Sequence, residues 1–113
     1  MKPMLSFVLT LAAVCAILAT LAAAAPPEPD GAAIFTQNCQ MCHGADGKGY
    51  AAIKTPDFTD KKWQASITDK QIFDVVKNGK SGTMMAAFGN KLKDDEIKAV
   101  VKRIRAFGGA NGR

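Results

Sequence analysis

The sequence has little histidine, little cysteine and few aromatic residues. Its 113 residues include one histidine, three cysteines, one tryptophan and one tyrosine. A structural zinc site usually takes four ligands from Cys and His, and beside the first cysteine pair there is no second pair to complete one. No segment alternates polar and apolar residues as strands do, which argues against a thioredoxin-like βαβ redox domain. We therefore expect an all-α fold.

Basic residues are in excess, but they are spread along the chain. The sequence has 15 Lys and Arg against 10 Asp and Glu. No block of Lys and Arg with interleaved aromatic residues occurs, so we expect no nucleic-acid partner. Dispersed positive charge of this size instead suits docking to an acidic protein surface.

Residues 1–24 have the composition of an export signal. Lys2 gives a positive start, residues 4–21 are almost wholly apolar, and residues 22–25 are small. We expect cleavage after Ala23 or Ala24, a Pro-rich spacer over 25–29 and one domain over 30–113. If the signal is cleaved, we expect a soluble periplasmic protein without stable membrane insertion. A retained segment would act as a membrane anchor, since its apolar run approaches the roughly 20 residues of a bilayer span.

Three helices are predicted from their starts and from their apolar spacing. Asp30 is a good N-cap for a first helix running toward Cys39. Thr68 and Gln71 form a capping box that starts a second helix, which ends near Asn78. A last helix carries a stripe of apolar residues on one face, namely Ile97, Val100, Val101, Ile104 and Phe107. Long loops over 44–59 and 79–90 separate these helices.

The segment Cys39-Gln40-Met41-Cys42-His43 predicts covalent attachment of haem. Residues three and four apart on a helix share a face, so both thiols reach one porphyrin while the imidazole turns toward the iron. A structural disulfide is the simpler alternative for two cysteines in an oxidising compartment. It leaves the histidine that follows Cys42 unexplained. We expect one haem c per chain, with His43 as an iron ligand.

The second axial ligand of such an iron is predicted by elimination. There is no second histidine, so methionine is the expected choice. Met1 and Met4 leave with the signal, and Met41 lies between the two anchoring cysteines on the wrong side of the ring. Met84 and Met85 remain, and packing in the core is the alternative role for either of them.

With this attachment motif and methionine loop, the sequence resembles the class I cytochromes c over nearly all of the mature chain. The resemblance implies a cytochrome c-like fold, with three or more helices and long loops wrapped around one covalently bound haem. In that family the methionine loop often reads Met-Pro-Ala-Phe. Here it reads Met85-Ala86-Ala87-Phe88. The resemblance therefore implies Met85 as the ligand, with Ala86 in place of proline and Met84 as the alternative.

The resemblance also implies two further haem-site residues. The carbonyl of Pro56 would accept the second ring proton of His43, which would fix the imidazole and raise its basicity. Shaping a turn is the alternative role for this proline. Trp63 would approach a haem propionate with its indole proton, or would only be buried in the core.

Where the first and last helices cross, the resemblance implies a contact of Gly31 and Phe35 with Phe107. The family commonly has Ser or Thr as the cap of the last helix, whereas Lys93 occupies that position here. This departure affects the expected start of the helix and not its existence.

Ligation by His and Met fills both axial positions, which predicts a one-electron carrier and not an enzyme. Its partners would be redox proteins with acidic docking surfaces, steered by Lys48, Lys80 and Lys91 around an exposed haem edge. Solubility alone is the alternative reason for these three lysines. Two other functions remain open: a haem-based sensor or enzyme with a displaceable methionine, and a dedicated partner subunit of one dehydrogenase or oxidase.

Overall fold

The computed structural model describes residues 25–109, so the expected signal over 1–24 and the last four residues lie outside the described part. Within that part the chain forms five α-helices and one short 3₁₀ helix, with no strand. The prediction of an all-α fold is confirmed. The elements in order are α1 (Gly31–Asn38), α2 (Gln40–His43), the 3₁₀ helix (Ala51–Ile53), α3 (Lys61–Ser66), α4 (Asp69–Asn78) and α5 (Asp94–Phe107).

The helices begin where local hydrogen bonds replace the partners that their first N–H groups lack. The Asp30 carboxylate accepts hydrogen bonds from two N–H groups of the first turn of α1. The Thr68 hydroxyl accepts from the Gln71 N–H at 3.1 Å, and the Gln71 side chain accepts from the Thr68 N–H at 2.9 Å. At α5 the Lys93 side chain makes no such bond, and Glu96 accepts from the Lys93 N–H at 2.7 Å. The predicted starts at Asp30 and Thr68 are confirmed, and the last helix begins directly after Lys93.

Helices α1 and α5 cross at very short range, and α4 packs on α5 beside the crossing. A Cβ atom on Gly31 would overlap the carbonyl oxygen of Ala99, so the two backbones meet where a side chain would not fit. The rings of Phe35 and Phe107 pack with centroids 5.1 Å apart. The expected contact of Phe35 is confirmed. The close neighbour of Gly31, however, is Ala99, because the crossing places the first turn of α1 over the middle of α5.

The buried core lies between these three helices and the loop that precedes α3. It contains nine apolar side chains and, among the described residues, no buried charged group. These are Phe35, Cys39, Phe58, Ile72, Val76, Ile97, Val100, Val101 and Ile104. None of the described helices is long and apolar enough to cross a membrane.

Helix α3 is not among the predicted helices, although it positions part of the site. The Asp60 carboxylate accepts from the Lys62 N–H at 2.9 Å and caps its start. The Gln64 side-chain amide donates to the carbonyls of Phe58 and Ile104, which ties α3 to the end of α5. Arg105 completes the tie by donating to the Gln64 carbonyl at 2.7 Å. Six residues with one apolar aromatic carry too little periodicity to predict such a helix.

Candidate functional site

The two cysteines lie at the junction of α1 and α2, where the first helix breaks and a new turn begins. Cys39 is the cap residue between them, and both thiols are free. The N–H groups of Cys42 and His43 donate to the Cys39 carbonyl at 3.2 and 3.0 Å, so one helical turn brings the three residues together. Burial, together with the neighbouring Cys42, raises the pKa of the Cys39 thiol to about 11. Cys39 is therefore a buried neutral thiol, whereas Cys42 is exposed.

The imidazole of His43 packs flat against the ring of Phe58. The two ring centroids are 4.8 Å apart and the planes differ by 18°. Burial lowers the pKa of His43, which favours the neutral form that binds metal ions. Its Nδ1 atom is buried and has no hydrogen-bond partner among the described residues. A buried polar atom without a partner is rare, and a function at this ring is one explanation for it.

Pro56 lies in the loop beside the backbone of the histidine. The N–H of Gly49 donates to the His43 carbonyl at 2.9 Å. A Cβ on Gly49 would lie 2.8 Å from the Pro56 carbonyl oxygen, so the two loop segments are in contact. Since His43 Nδ1 donates to no described residue, the bond expected from it to Pro56 is not formed in this structure. That bond stays a prediction for the protein with haem bound.

Trp63 extends a row of aromatic rings away from His43. Its ring packs on Phe58 at a centroid distance of 4.9 Å, so Phe58 lies in contact with both the histidine and the tryptophan. Trp63 also lines an open hollow of about 420 Å³, within the usual size range of small-molecule sites. The other lining residues are Ser66, Ile67, Gln71, Asp74 and Val75. The approach of Trp63 to a propionate stays a prediction.

The two methionines of the second loop face different surroundings. Met84 is exposed over 77% of its surface, whereas Met85 is half-buried and packs against the core. The backbone of Met85 is tied on both sides, because its N–H donates to the Thr83 hydroxyl at 3.2 Å and its carbonyl accepts from the Lys80 N–H at 3.1 Å. The structure thus directs Met85 inward and Met84 outward.

Sequence reasoning missed Phe58 and Thr83 as residues of the site. Phe58 contacts the histidine ring across a loop with no periodic pattern, so no spacing rule finds it. Thr83 precedes Met85 by two residues. Threonine hydroxyls often hydrogen-bond to a backbone N–H at this spacing, so the sequence did contain a signal for this bond.

These residues fit a covalently held haem. Two free thiols precede a half-buried neutral imidazole within one helical turn, and apolar and aromatic side chains adjoin them. A methionine lies inward on a separate loop that follows α4. The all-α fold and this donor set define a c-type cytochrome with a covalently bound haem c.

Comparison with known proteins narrows this class to a family. The family described as "Cytochrome C oxidase, cbb3-type, subunit III" matches residues 26–102, and the chain belongs to it. A similar curated protein is the Cbb3-type cytochrome c oxidase subunit FixP of Bradyrhizobium sp. (strain ORS 278), which is 34% identical over 79 residues. The match covers 70% of this chain and 27% of that protein, so the chain spans about a quarter of the length of such relatives.

Solved structures show the same fold. The KustC0563 c-type cytochrome aligns with a TM-score of 0.65 and 34% identity, over 69% of this chain and 96% of that one. Cytochrome cL from Hyphomicrobium denitrificans aligns with a TM-score of 0.57 and 30% identity, over 69% of this chain and 45% of the other. The resemblance to small cytochromes c is confirmed, and these relationships indicate electron transfer through haem c as the function.

Proposed function

We propose that this chain is a periplasmic one-electron carrier, with haem attached at Cys39 and Cys42 and its iron bound by His43 and Met85. The observation that carries the proposal is the state of His43. The residue is half-buried, its pKa is lowered toward the neutral form, and its buried Nδ1 atom has no partner among the described residues. It directly follows two free thiols.

Each of the four residues has a separate task. Cys39 and Cys42 provide the sulfurs of two thioether bonds, which attach the haem permanently. His43 binds the iron as a neutral imidazole, and its contact with Phe58 restricts rotation of the ring. Met85 provides a thioether ligand from the other loop, and methionine ligation raises the reduction potential. When bound, haem supplies an iron that exchanges one electron with little rearrangement.

Binding of the iron by both His43 and Met85 would favour a carrier over a sensor or an enzyme. Met85 is half-buried and tied through both backbone polar groups, which supports a ligand that stays in place. A tightly held ligand leaves no open position for oxygen or another small molecule. The red-region absorption band of methionine-ligated ferric haem should therefore persist when cyanide or carbon monoxide is added.

The proposal includes export and docking by charge. Residues 1–24 would be removed as the signal, residues 25–29 would form a spacer, and the haem domain would begin at residue 30. Cleavage would leave 14 basic and 10 acidic residues, a net charge of about +4 before the cofactor is counted. Lys48, Lys80 and Lys91 are exposed and suit an acidic redox partner.

A second candidate is a dedicated partner of one terminal oxidase. The names of the curated relatives favour it, since they are subunits of cbb3-type cytochrome c oxidases. The two candidates differ in selectivity. A general carrier reduces several unrelated acceptors at similar rates, whereas a dedicated partner reduces one oxidase much faster than any other acceptor. Stopped-flow oxidation of the reduced protein by a panel of acceptors distinguishes them.

Mass measurement of the protein produced with the cytochrome maturation machinery tests the proposal directly. We expect one haem added to the chain cleaved after Ala23 or Ala24, with the haem resistant to acid extraction. A Cys39→Ser, Cys42→Ser double variant should release any haem it holds. Haem that extracts freely from the unsubstituted protein would contradict covalent attachment.

Two matched variants test the methionine ligand. Met85→Ala should abolish the red-region band of the ferric protein, because the inward thioether is removed. Met84→Ala should preserve it, since this side chain is mostly exposed. The reverse result would assign the iron to Met84.

A further inference from the structure

The segment from Lys80 to Met85, which follows α4, forms a compact loop held by hydrogen bonds of the Thr83 hydroxyl. Thr83 Oγ1 donates to the Lys80 carbonyl at 2.8 Å and accepts from the Met85 N–H at 3.2 Å. The Lys80 N–H in turn donates to the Met85 carbonyl at 3.1 Å. The Thr83 N–H donates to the same Lys80 carbonyl at 3.2 Å. The Thr83 side chain is thus the link between Lys80 and the backbone donor of Met85.

Contacts with the end of α4 hold this loop in place both before and after Met85. A Cβ on Gly79 would lie 2.9 Å from the Met85 carbonyl oxygen, so the loop packs directly on the end of α4. After the methionine, the N–H groups of Phe88 and Gly89 donate to the carbonyls of Val76 and Lys77 at 2.9 and 3.0 Å. These bonds use carbonyls that the end of a helix otherwise leaves without partners.

Between these anchors the backbone of Ala86 and Ala87 contacts Gly79 but makes no hydrogen bond with any described residue. Ala86 is exposed, and its N–H makes no hydrogen bond with any described residue. Alanine does not fix φ as proline does. The adjacent Met84 carries the same thioether, so a shift of the segment by one residue would present the wrong sulfur. The restraint that sets which methionine lies inward therefore acts before Met85.

We propose that Thr83 is a positioning residue, whose hydroxyl holds the backbone of Met85 so that Met85, and not Met84, is directed at the haem iron. This inference rests on the proposed function, because it takes Met85 as the axial ligand. Thr83 touches neither reacting atoms nor iron in this role. It acts through the N–H of Met85, and only its hydroxyl is required.

Substitutions at Thr83 in the haem-loaded protein test this role. Thr83→Val keeps the shape and removes both bonds of the hydroxyl. We expect cyanide to displace the methionine about fivefold faster, the ratio that corresponds to losing the one bond that holds the Met85 N–H, at an ordinary net strength. The red-region band should weaken. Thr83→Ser keeps a hydroxyl and should restore both the rate and the band.

A second substitution tests whether a backbone restraint is what matters. Ala86→Pro removes no hydrogen bond and fixes φ at the residue that follows Met85. Introduced into Thr83→Val, it should return the cyanide rate toward that of the unsubstituted protein. Thr36→Val is the matched control, since it also removes an exposed hydroxyl bond, from Thr36 Oγ1 to the Ala32 carbonyl in α1. It should leave the rate unchanged.

The outcomes separate this inference from the proposed function. An unchanged cyanide rate and band in Thr83→Val, with the band lost in Met85→Ala, would overturn the role of Thr83 alone. Equal behaviour of Thr83→Ser and Thr83→Val would overturn it as well. A band that survives in Met85→Ala would instead overturn the ligand assignment. If Thr83→Val fails to accumulate, Thr83→Ala gives the same readout with a smaller side chain.

Discussion

The histidine side and the methionine side of the site are built from different interactions. His43 packs on Phe58, whose ring also contacts Phe35 and Phe107 in the crossing of α1 and α5. The Met85 side chain also packs against the core, but its backbone is held by hydrogen bonds in a largely exposed loop. Burial of an aromatic side chain contributes more than an exposed hydrogen bond, which competes with water. The histidine side should therefore share the stability of the whole fold, whereas the methionine side should open on its own.

Phe35→Ala tests the first half of this comparison and should have the largest effect. Phe35 is 2% exposed and lies in the helix crossing. We expect the free energy of unfolding to fall by about 3–5 kcal/mol, as for other aromatic truncations in cores. Denaturant titration followed by helix circular dichroism measures it, with exposed Gln37→Ala as the control. A change below about 1 kcal/mol would show that the crossing does not support the site.

Gly31→Ala adds one methyl group at the crossing and should have the next largest effect. Glycine to alanine in a helix usually stabilises it by up to about 1 kcal/mol. Here the new Cβ would meet the Ala99 carbonyl oxygen, so the helices must separate. We expect the free energy of unfolding to fall by about 3 kcal/mol, the upper end for overpacking, in the same denaturant titration. Unchanged or increased stability would mean that the helices part easily.

Gly79→Ala should affect the methionine side more than the fold. Gly79 has φ +74°, and its Cβ would press on the Met85 carbonyl. We expect loss of the red-region band and a fall of about 1–3 kcal/mol in the free energy of unfolding, the cost of a strained backbone. Gly82→Ala is the matched control, because Gly82 has φ +75° and no atom of a described residue lies within 4 Å of its Cβ position. It should keep the band. Equal band loss in both variants would assign the effect to backbone strain alone.

Asp57→Asn should produce the smallest effect, on the histidine side. The hydrogen bond from the Thr59 hydroxyl holds the pKa of Asp57 below its ordinary value. A carboxyl group whose pKa is lower in the folded state stabilises the fold above its unfolded pKa, and this contribution is lost as pH falls through the folded pKa. We expect the unfolding midpoint of the unsubstituted protein to fall more steeply below about pH 4 than that of Asp57→Asn. Parallel curves would exclude a contribution from this group.

The sequence predicts the parts of this fold that local chemistry decides. The capping box at Thr68 and Gln71 and the apolar stripe of α5 are visible as short patterns, and both elements form as expected. The attachment motif is likewise local, since all its residues lie in five consecutive positions. Covalent haem can therefore be inferred from the order of the residues alone.

Contacts between distant segments cannot be predicted in the same way. Phe58 meets His43 because two loops fold onto each other, and no periodicity marks either loop. The expected neighbour of Gly31 is Phe107 and the observed one is Ala99, because the angle at which two helices cross is set by the packing of their side chains and not by either sequence alone. The tie of Met85 to Thr83 depends on a loop conformation that residue types do not fix.

The contact of Gly31 with Ala99 also bears on the order of events during biogenesis. These residues stand near opposite ends of the domain, so their meeting requires almost all of the chain to be present. Closing so long a loop costs entropy, which must be overcome before this contact can form. If the chain is exported as proposed, the thiols of Cys39 and Cys42 would emerge before α5 is available to pack on α1. In that interval the proposed attachment machinery would be able to reach both sulfurs.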